Sequence, residues 1–121
     1  MRLPVRRGMV LALVLLASAC GLVRPNISLM EQAKRARSPA EHAAVAQAYR
    51  DRAQRLRAEA AEHAALADWW LSLVSQSPLS ARRASRLAQA QHCRRLAADL
   101  SAAAAEAEAL AQFHEELARP P

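Results

Sequence analysis

Between Pro39 and Pro120 the chain has no Gly and a single Pro, Pro78. Pro interrupts a helix because it removes an amide donor and clashes with the preceding turn, and Gly has low helix propensity. Two long stretches without either residue, separated at Pro78, predict two long helices joined by a turn. No segment shows the alternation of apolar and polar residues that is typical of a strand. We therefore predict an all-α fold, a long antiparallel two-helix hairpin.

Capping residues predict where the helices begin. Ser38 stands before Pro39 and Glu41, so its hydroxyl can accept from the third helical amide, Pro suits the first helical position, and the Glu side chain reaches back. Either Ser77 or Ser80 is expected to cap the second helix. The predicted elements of the hairpin domain, residues 38–119, are a helix over 39–75, a turn over 76–80 and a helix over 80–118.

Heptad periodicity along both helices predicts how they pack. In each helix one position of the heptad carries mainly larger side chains, and a second position carries mainly Ala. This is the a/d pattern of a coiled coil, and small side chains at one of its positions let the two helices approach closely. The predicted seam consists of His42, Tyr49, Leu56, His63 and Trp70 with Ala46, Ala53, Ala60, Ala67 and Val74, and of Cys93, Leu100, Ala107 and His114 with Ala90, Ala97, Ala104, Ala111 and Ala118.

Closing the hairpin at its turn pairs residues whose numbers sum to about 156. Exposed ion pairs contribute about 0.2–1 kcal/mol each, so they help to select a register without supplying much stability. The predicted facing pairs are His42 with His114, Tyr49 with Ala107, Leu56 with Leu100, and His63 with Cys93. The predicted charge pairs are Arg50 with Glu106, Arg57 with Asp99 and Glu62 with Arg94, together with one like-charge pair, Glu41 with Glu115.

The N-terminal residues have the order of a secretory signal. Arg2, Arg6 and Arg7 precede an uncharged apolar run from Met9 to Ala19. Eleven helical residues span roughly 16 Å, about half of the ~30 Å hydrocarbon layer, so this run is too short for a stable transmembrane anchor.

The run ends in Ala-Ser-Ala-Cys-Gly over residues 17–21, which resembles the lipobox of bacterial lipoproteins. In that family, small residues precede a Cys that receives a diacylglycerol thioether before the signal is cleaved. The resemblance implies removal of residues 1–19, a covalent lipid on Cys20 and, because Gly21 follows it, sorting to the outer membrane on the periplasmic side. The family prefers Leu where this chain has Ala17. The same small residues fit ordinary signal cleavage, so secretion without lipid is the alternative.

Residues 20–37 are predicted to form a flexible tether between the lipid and the hairpin. Ser28 and Glu31 have the spacing of a capping box. A short helix over 29–36 is therefore expected inside the tether.

Composition limits the partners and the core. Removal of residues 1–19 takes away three of the 17 Lys and Arg and none of the 11 Asp and Glu, which leaves a net charge of +3. We expect no nucleic-acid binding. It requires a one-sided basic face with stacking aromatics, and export would separate the protein from nucleic acid. One Phe, one Tyr and two Trp cannot build a large core, and Ala buries little apolar area. A thin hairpin is expected, or a homodimer that forms a four-helix bundle.

All four histidines lie on or beside the predicted seam, in two layers. His42 faces His114 in one layer, and His63 faces Cys93 in the other with His92 adjacent. Imidazole and thiolate are ligands for Zn and Cu, and a structural Zn site needs four such groups. One hairpin offers two or three per layer, so a closed site would require dimerisation. The alternative is structural, with histidines that hydrogen-bond between the helices and a small buried Cys.

The turn end is the most apolar part of the mature chain, with Trp69, Trp70 and Leu73. Trp70 belongs to the seam, whereas Trp69 lies about 100° further round the helix and is expected to be exposed. These side chains either close the tip of the hairpin or form a patch for a partner, since aromatics anchor interfaces.

The sequence shows no trio of nucleophile, base and orienting group, so we predict no enzyme. The mature part is similar to uncharacterised, Ala-rich exported helical proteins of proteobacteria, through Glu41-His42 and His92-Cys93 near the helix starts and His63 or His114 near their ends. That resemblance implies no activity. We expect a membrane-anchored cell-envelope lipoprotein of structural or interaction type, bound to a second copy or to another envelope protein. The alternatives are a periplasmic metal-binding module and, third, a periplasmic chaperone.

Overall fold

A computed structural model describes residues 27–120, and all of its regular structure is helical. The helices are α1 (Leu29–Arg35), α2 (Pro39–Val74) and α3 (Ser80–Ala118). Helices α2 and α3 pack against each other antiparallel along their lengths, and α1 contacts α2. The predicted all-α hairpin is confirmed. The predicted signal segment and Cys20 lie outside the described residues.

The beginning of α2 has the predicted capping box. Ser38 Oγ accepts from the Glu41 amide at 3.2 Å, and Glu41 Oε2 accepts from the Ser38 amide at 2.9 Å. The same carboxylate accepts from the Arg37 amide at 2.7 Å. These bonds, the one from Arg37 above all, lower the pKa of Glu41 because they stabilise its charged form.

The beginning of α3 differs from the prediction. Its N-cap is Leu79, which makes no side-chain cap bond, so the expectation that Ser77 or Ser80 caps this helix is wrong. The Ser77 hydroxyl is buried and already engaged, because it donates to the Leu73 carbonyl at 2.9 Å and accepts from Arg86. Ser80 is the first helical residue. Ser77 therefore holds the turn together instead of starting α3.

Alanine forms most of the interface between α2 and α3. Ala53, Ala67 and Ala111 have no exposed surface, and no large side chain among the described residues is fully buried. Every buried residue of α2 and α3 belongs to the predicted seam, apart from Val45. The heptad interpretation is thus supported, and the core is as thin as the composition predicted.

Helix α1 explains why Val45 is buried. Leu29, Ala33 and Ala36 share one face of the N-terminal segment and pack on Val45 and Tyr49. A short helix was predicted in this segment and is present as α1. Residues 29–36 were predicted to belong to a flexible tether, but they pack on the hairpin instead. Spacings of four and three residues bring these apolar side chains to one side.

The ion pairs beside the seam differ from the predicted ones, although the seam register itself is confirmed. In an antiparallel helix pair, residues that directly follow seam positions meet on one side, and residues that directly precede them meet on the other. The prediction paired residues from opposite sides. The pairs that form are Arg50 with Glu115, Arg57 with Glu108 at 3.3 Å, and Arg94 with Asp68 at 3.7 Å, instead of Arg50 with Glu106, Arg57 with Asp99, and Glu62 with Arg94.

The predicted repulsion between Glu41 and Glu115 does not arise. Glu41 accepts the capping bonds at the beginning of α2, and Glu115 pairs with Arg50. Both carboxylates are therefore engaged elsewhere.

Among the described helices, none is both long and apolar enough to cross a membrane.

Candidate functional site

The open end of the hairpin contains a histidine pair. His42 Nδ1 and His114 Nδ1 are 2.9 Å apart, and the ring centroids are 5.2 Å apart. His114 is 5% exposed, and its ring stacks on Tyr49 with an interplanar angle of 19°. Phe113 meets the same ring edge-on at 5.4 Å. The predicted facing of His42 and His114 is confirmed.

The chemistry of this pair depends on its protons. One Nδ1 must carry a hydrogen and donate while the other accepts, so a second proton at Nδ1 destroys the bond. Burial, and secondly the proximity of His42, lower the pKa of His114. The buried ring is therefore held in its neutral form. The Arg50–Glu115 ion pair lies beside these rings, because Glu115 directly follows His114 and Arg50 directly follows Tyr49, whose ring stacks on His114.

The second layer is less closely knit. Cys93 is buried and is a free thiol. His63 is half-buried, and its Nδ1 is buried without a hydrogen-bond partner. His92, by contrast, is exposed. This layer therefore combines one unsatisfied imidazole nitrogen and one buried thiol, two of the three groups predicted for it, while the third, His92, is exposed.

Neither layer holds a complete set of metal ligands in one chain. Within residues 27–120, no group of three or more His, Cys, Asp or Glu side chains is placed to hold a metal ion. His42 and His114 offer two nitrogens, whereas a structural Zn site has four ligands, at about 2.0–2.1 Å for nitrogen. A single hairpin fits such a site only in part, and the other ligands would have to come from a second molecule.

The tip of the hairpin has the predicted aromatic pair. Trp69 is 51% exposed, and its ring meets Trp70 edge-on with centroids 4.7 Å apart. Trp70 and Leu73 are half-buried. The tip is thus partly closed by Trp70 and partly open at Trp69.

The two sides of the hairpin carry different chemistry, a contrast that sequence reasoning missed. We call the side formed by residues directly after seam positions the charged flank, because the three ion pairs that join α2 and α3 within residues 27–120 lie there. We call the other side the apolar flank. Of the six exposed large apolar side chains on α2 and α3, all but Leu87 directly precede a seam residue: Leu66, Trp69, Leu110, Phe113 and Leu117.

A shallow groove shows that residues of the two helices meet on the apolar flank. Arg52 of α2 lines it together with Ala103, Glu106 and Leu110 of α3. All four precede a seam residue. The signal was present in the sequence, since five of these six apolar residues stand one place before a seam residue, although the heptad pattern of the seam does not itself include those positions.

Comparison of the chain with protein-family models, with curated proteins and with solved structures finds no match.

Proposed function

We propose that this protein is a membrane-anchored cell-envelope lipoprotein of structural or interaction type, held by a lipid on Cys20, without catalytic activity of its own. The observation that carries the proposal is the apolar flank. Large apolar side chains exposed along a rigid hairpin are typical of a surface that a protein partner covers. Leu66, Trp69, Leu110, Phe113 and Leu117 provide that surface.

The geometry of the open end supports a lipid tether. Ile27, where the described residues begin, lies beside Glu41 and Val45 at the open end of the hairpin. Ile27 is seven residue steps after Cys20, a distance of at most about 25 Å along the chain. Helix α2 has 36 residues and is about 54 Å long. With the lipid on Cys20, the open end lies near the membrane and Trp69 can lie several tens of ångströms away from it.

Mass spectrometry of the protein extracted from membranes tests this anchor. We expect an N-terminal residue Cys20 carrying a diacylglycerol thioether, and incorporation of labelled palmitate. A Cys20→Ser variant should lose the label and leave the membrane fraction. Cys93→Ser is the matched control, because it also removes one thiol and should keep both. An unmodified N-terminus at Cys20, or an intact N-terminus at Met1, would contradict the proposal.

A metal-binding module is the second candidate function, and two observations favour it. His42 and His114 hold their Nδ1 atoms 2.9 Å apart, and the Nδ1 of His63 is buried without a partner. Two copies of the hairpin would supply enough imidazole and thiolate groups for a closed site. Such a protein would gain thermal stability from Zn or Cu, because a ligand that binds only the folded state stabilises it.

Titration of the metal-free protein with Zn or Cu tests the second candidate. Stoichiometric uptake and a raised melting temperature are expected, and both should disappear in the His63→Ala/His92→Ala variant. His42→Ala/His114→Ala is the matched variant for the other layer. Binding no tighter than millimolar in the unmodified chain would exclude the module.

A further inference from the structure

The arrangement of side chains along the apolar flank is symmetric about the middle of the hairpin. Because His42 contacts His114, residues whose numbers sum to 156 lie at the same level. Leu110 and Phe113 are therefore level with residues 46 and 43 of α2. Relative to Leu56, these levels lie ten and 13 residues toward the open end, whereas Leu66 and Trp69 lie ten and 13 residues toward the tip. The flank thus has two matching apolar clusters, one at each end.

On α2 the middle of the same flank carries charges in two blocks, and α3 adds Asp99 and Glu106 at nearby levels. Arg52 and Arg55 come first along α2, and Glu59 and Glu62 follow. All four are exposed, each directly precedes a seam residue, and none joins an ion pair within residues 27–120. The boundary between the two blocks lies at about residue 57, within one residue of the centre of the apolar clusters.

We propose that a second copy of this chain packs antiparallel on the apolar flank, about a two-fold axis level with residues 56–57. This inference deepens the proposed function by naming the partner. The tip cluster, Leu66 and Trp69, then packs on the open-end cluster of the second copy, which comprises Leu110, Phe113 and Leu117. The Arg block of each copy faces the Glu block of the other. A two-fold interface requires such a self-complementary surface.

Charge order selects the antiparallel arrangement. If the two copies lay parallel about a two-fold axis along the hairpin, α2 of one copy would face α3 of the other, so Arg52 would lie near Glu106 but Glu59 would lie near Asp99. Like charges directly opposite each other are destabilising, whereas opposite charges across a helix interface set partner choice and orientation. Rotation of one copy end over end places α2 against α2, so the Arg block of each copy faces the Glu block of the other, and Asp99 alone lies near its own counterpart.

The size of the flank suits a stable dimer. Helix α2 is about 54 Å long, and two adjacent helices of about 10 Å each make a face about 20 Å wide. A standard interface buries about 800 Å² per partner, which this face can provide.

Helix α1 already covers Val45 at the open end of α2. A crossing of about 20°, common between packed helices, brings the tip of the second copy onto α3 beside α1.

The antiparallel dimer also separates the histidine layers of its two copies. The level of His42 in one copy meets the level of Trp70 in the other, and the level of His63 meets that of Tyr49. A four-ligand metal site that spans two copies would need the parallel arrangement. The orientation of the dimer therefore decides between the proposed dimer and a shared metal site.

Charge exchange on the full chain, purified from membranes in detergent, tests the register. We expect sedimentation to show a dimer of the unmodified protein. Arg52→Glu/Arg55→Glu should raise its dissociation constant by about tenfold or more, and Glu59→Arg/Glu62→Arg should do the same. The fourfold exchange should restore the dimer, and a mixture of the two double variants should form a heterodimer. Arg95→Glu, a change of the same charge on the outward face, is the control and should remain dimeric.

Cysteine crosslinking tests the orientation in a Cys93→Ser background. Ala103→Cys lies near the two-fold axis and should crosslink to its own copy with a bis-maleimide. Gln89→Cys lies on the same flank but near the tip, so the two thiols should be about 33 Å apart and stay unlinked. A monomer at all concentrations, a dimer unaffected by the double exchanges, or an efficient Gln89→Cys crosslink would overturn the inference. Lipidation is measured independently at the N-terminus, so failure of the dimer and failure of the anchor are distinguishable.

Discussion

Replacement of Ala53 by Leu tests whether the alanine seam sets the distance between α2 and α3. Ala53 has no exposed surface, and its counterpart Ala104 on α3 is 1% exposed. The adjacent seam alanines of α2, Ala46 and Ala60, are buried as well. A leucine at position 53 must therefore fit into an interface whose spacing a whole series of small side chains determines.

Two opposing effects give the magnitude. If the helices separated freely, the three additional carbons would become buried, which stabilises by about 0.8 kcal/mol each, or about 2.4 kcal/mol. A stiff helix cannot move away at one position alone, so separation would also break the contacts at Ala46 and Ala60. Forcing additional carbons into a packed interface costs about 1–3 kcal/mol. We expect the second effect to dominate, with the free energy of unfolding lowered by about 1–3 kcal/mol.

Thermal unfolding followed by circular dichroism measures the effect. For a domain of this size, 1 kcal/mol shifts the melting temperature by about 4–8 °C. Ala58→Leu is the matched control, because it makes the same change at an exposed position of the same helix and should be nearly neutral. An Ala53→Leu variant that is as stable as the unmodified protein, or more stable, would refute the close packing of the seam.

Three further predictions follow from single contacts. Ser38→Ala removes the capping bond to the Glu41 amide and should lower stability by about 1 kcal/mol in urea unfolding, with Ser38→Thr as a control that retains most of it. Because burial lowers the pKa of His114 below its ordinary 6.5, the unfolded state binds more protons, so stability should be full above pH 6.5 and fall as the pH decreases below it. Melting curves between pH 8 and pH 5 measure this decrease, and His114→Phe should flatten it; an equally steep profile in that variant would contradict the assignment. Arg57→Glu should cost only about 0.2–1 kcal/mol, with recovery in Arg57→Glu/Glu108→Arg, because the side chains are 55% and 31% exposed; a loss without recovery would mean that the pair is not the cause.

The helices and their register were predictable because their signals are local or periodic. Pro39 and Pro78 mark the limits of α2, and a heptad repeat is visible in any sequence that carries one. A contact between His42 and His114, 72 residues apart, could be predicted because a two-helix hairpin has a single free parameter, its register. Fixing that register at the turn places every seam residue.

Side-chain partners around the seam were less predictable. Arg50 was predicted to pair with Glu106 but pairs with Glu115, because Glu106 lies on the other side of the seam and the Arg50 and Glu115 side chains each tilt toward the N-terminus of their own helix. Either Ser77 or Ser80 was expected to cap α3, but the N-cap is Leu79 and the Ser77 hydroxyl donates to the Leu73 carbonyl. Both errors have the same origin. A polar side chain with several partners within reach bonds to the one toward which it points, and that direction depends on the three-dimensional packing.

The sequence by itself determined the all-α hairpin, its boundaries, the alanine seam and the level at which each histidine lies, because helix breakers and a seven-residue period act along the chain. The tertiary structure decided that α1 packs on Val45, that His114 is buried beside His42, and that Leu66, Trp69 and Leu110 share the flank without ion pairs. These features depend on which side of one helix meets another. That is a property of two helices together, and periodicity within one helix does not contain it.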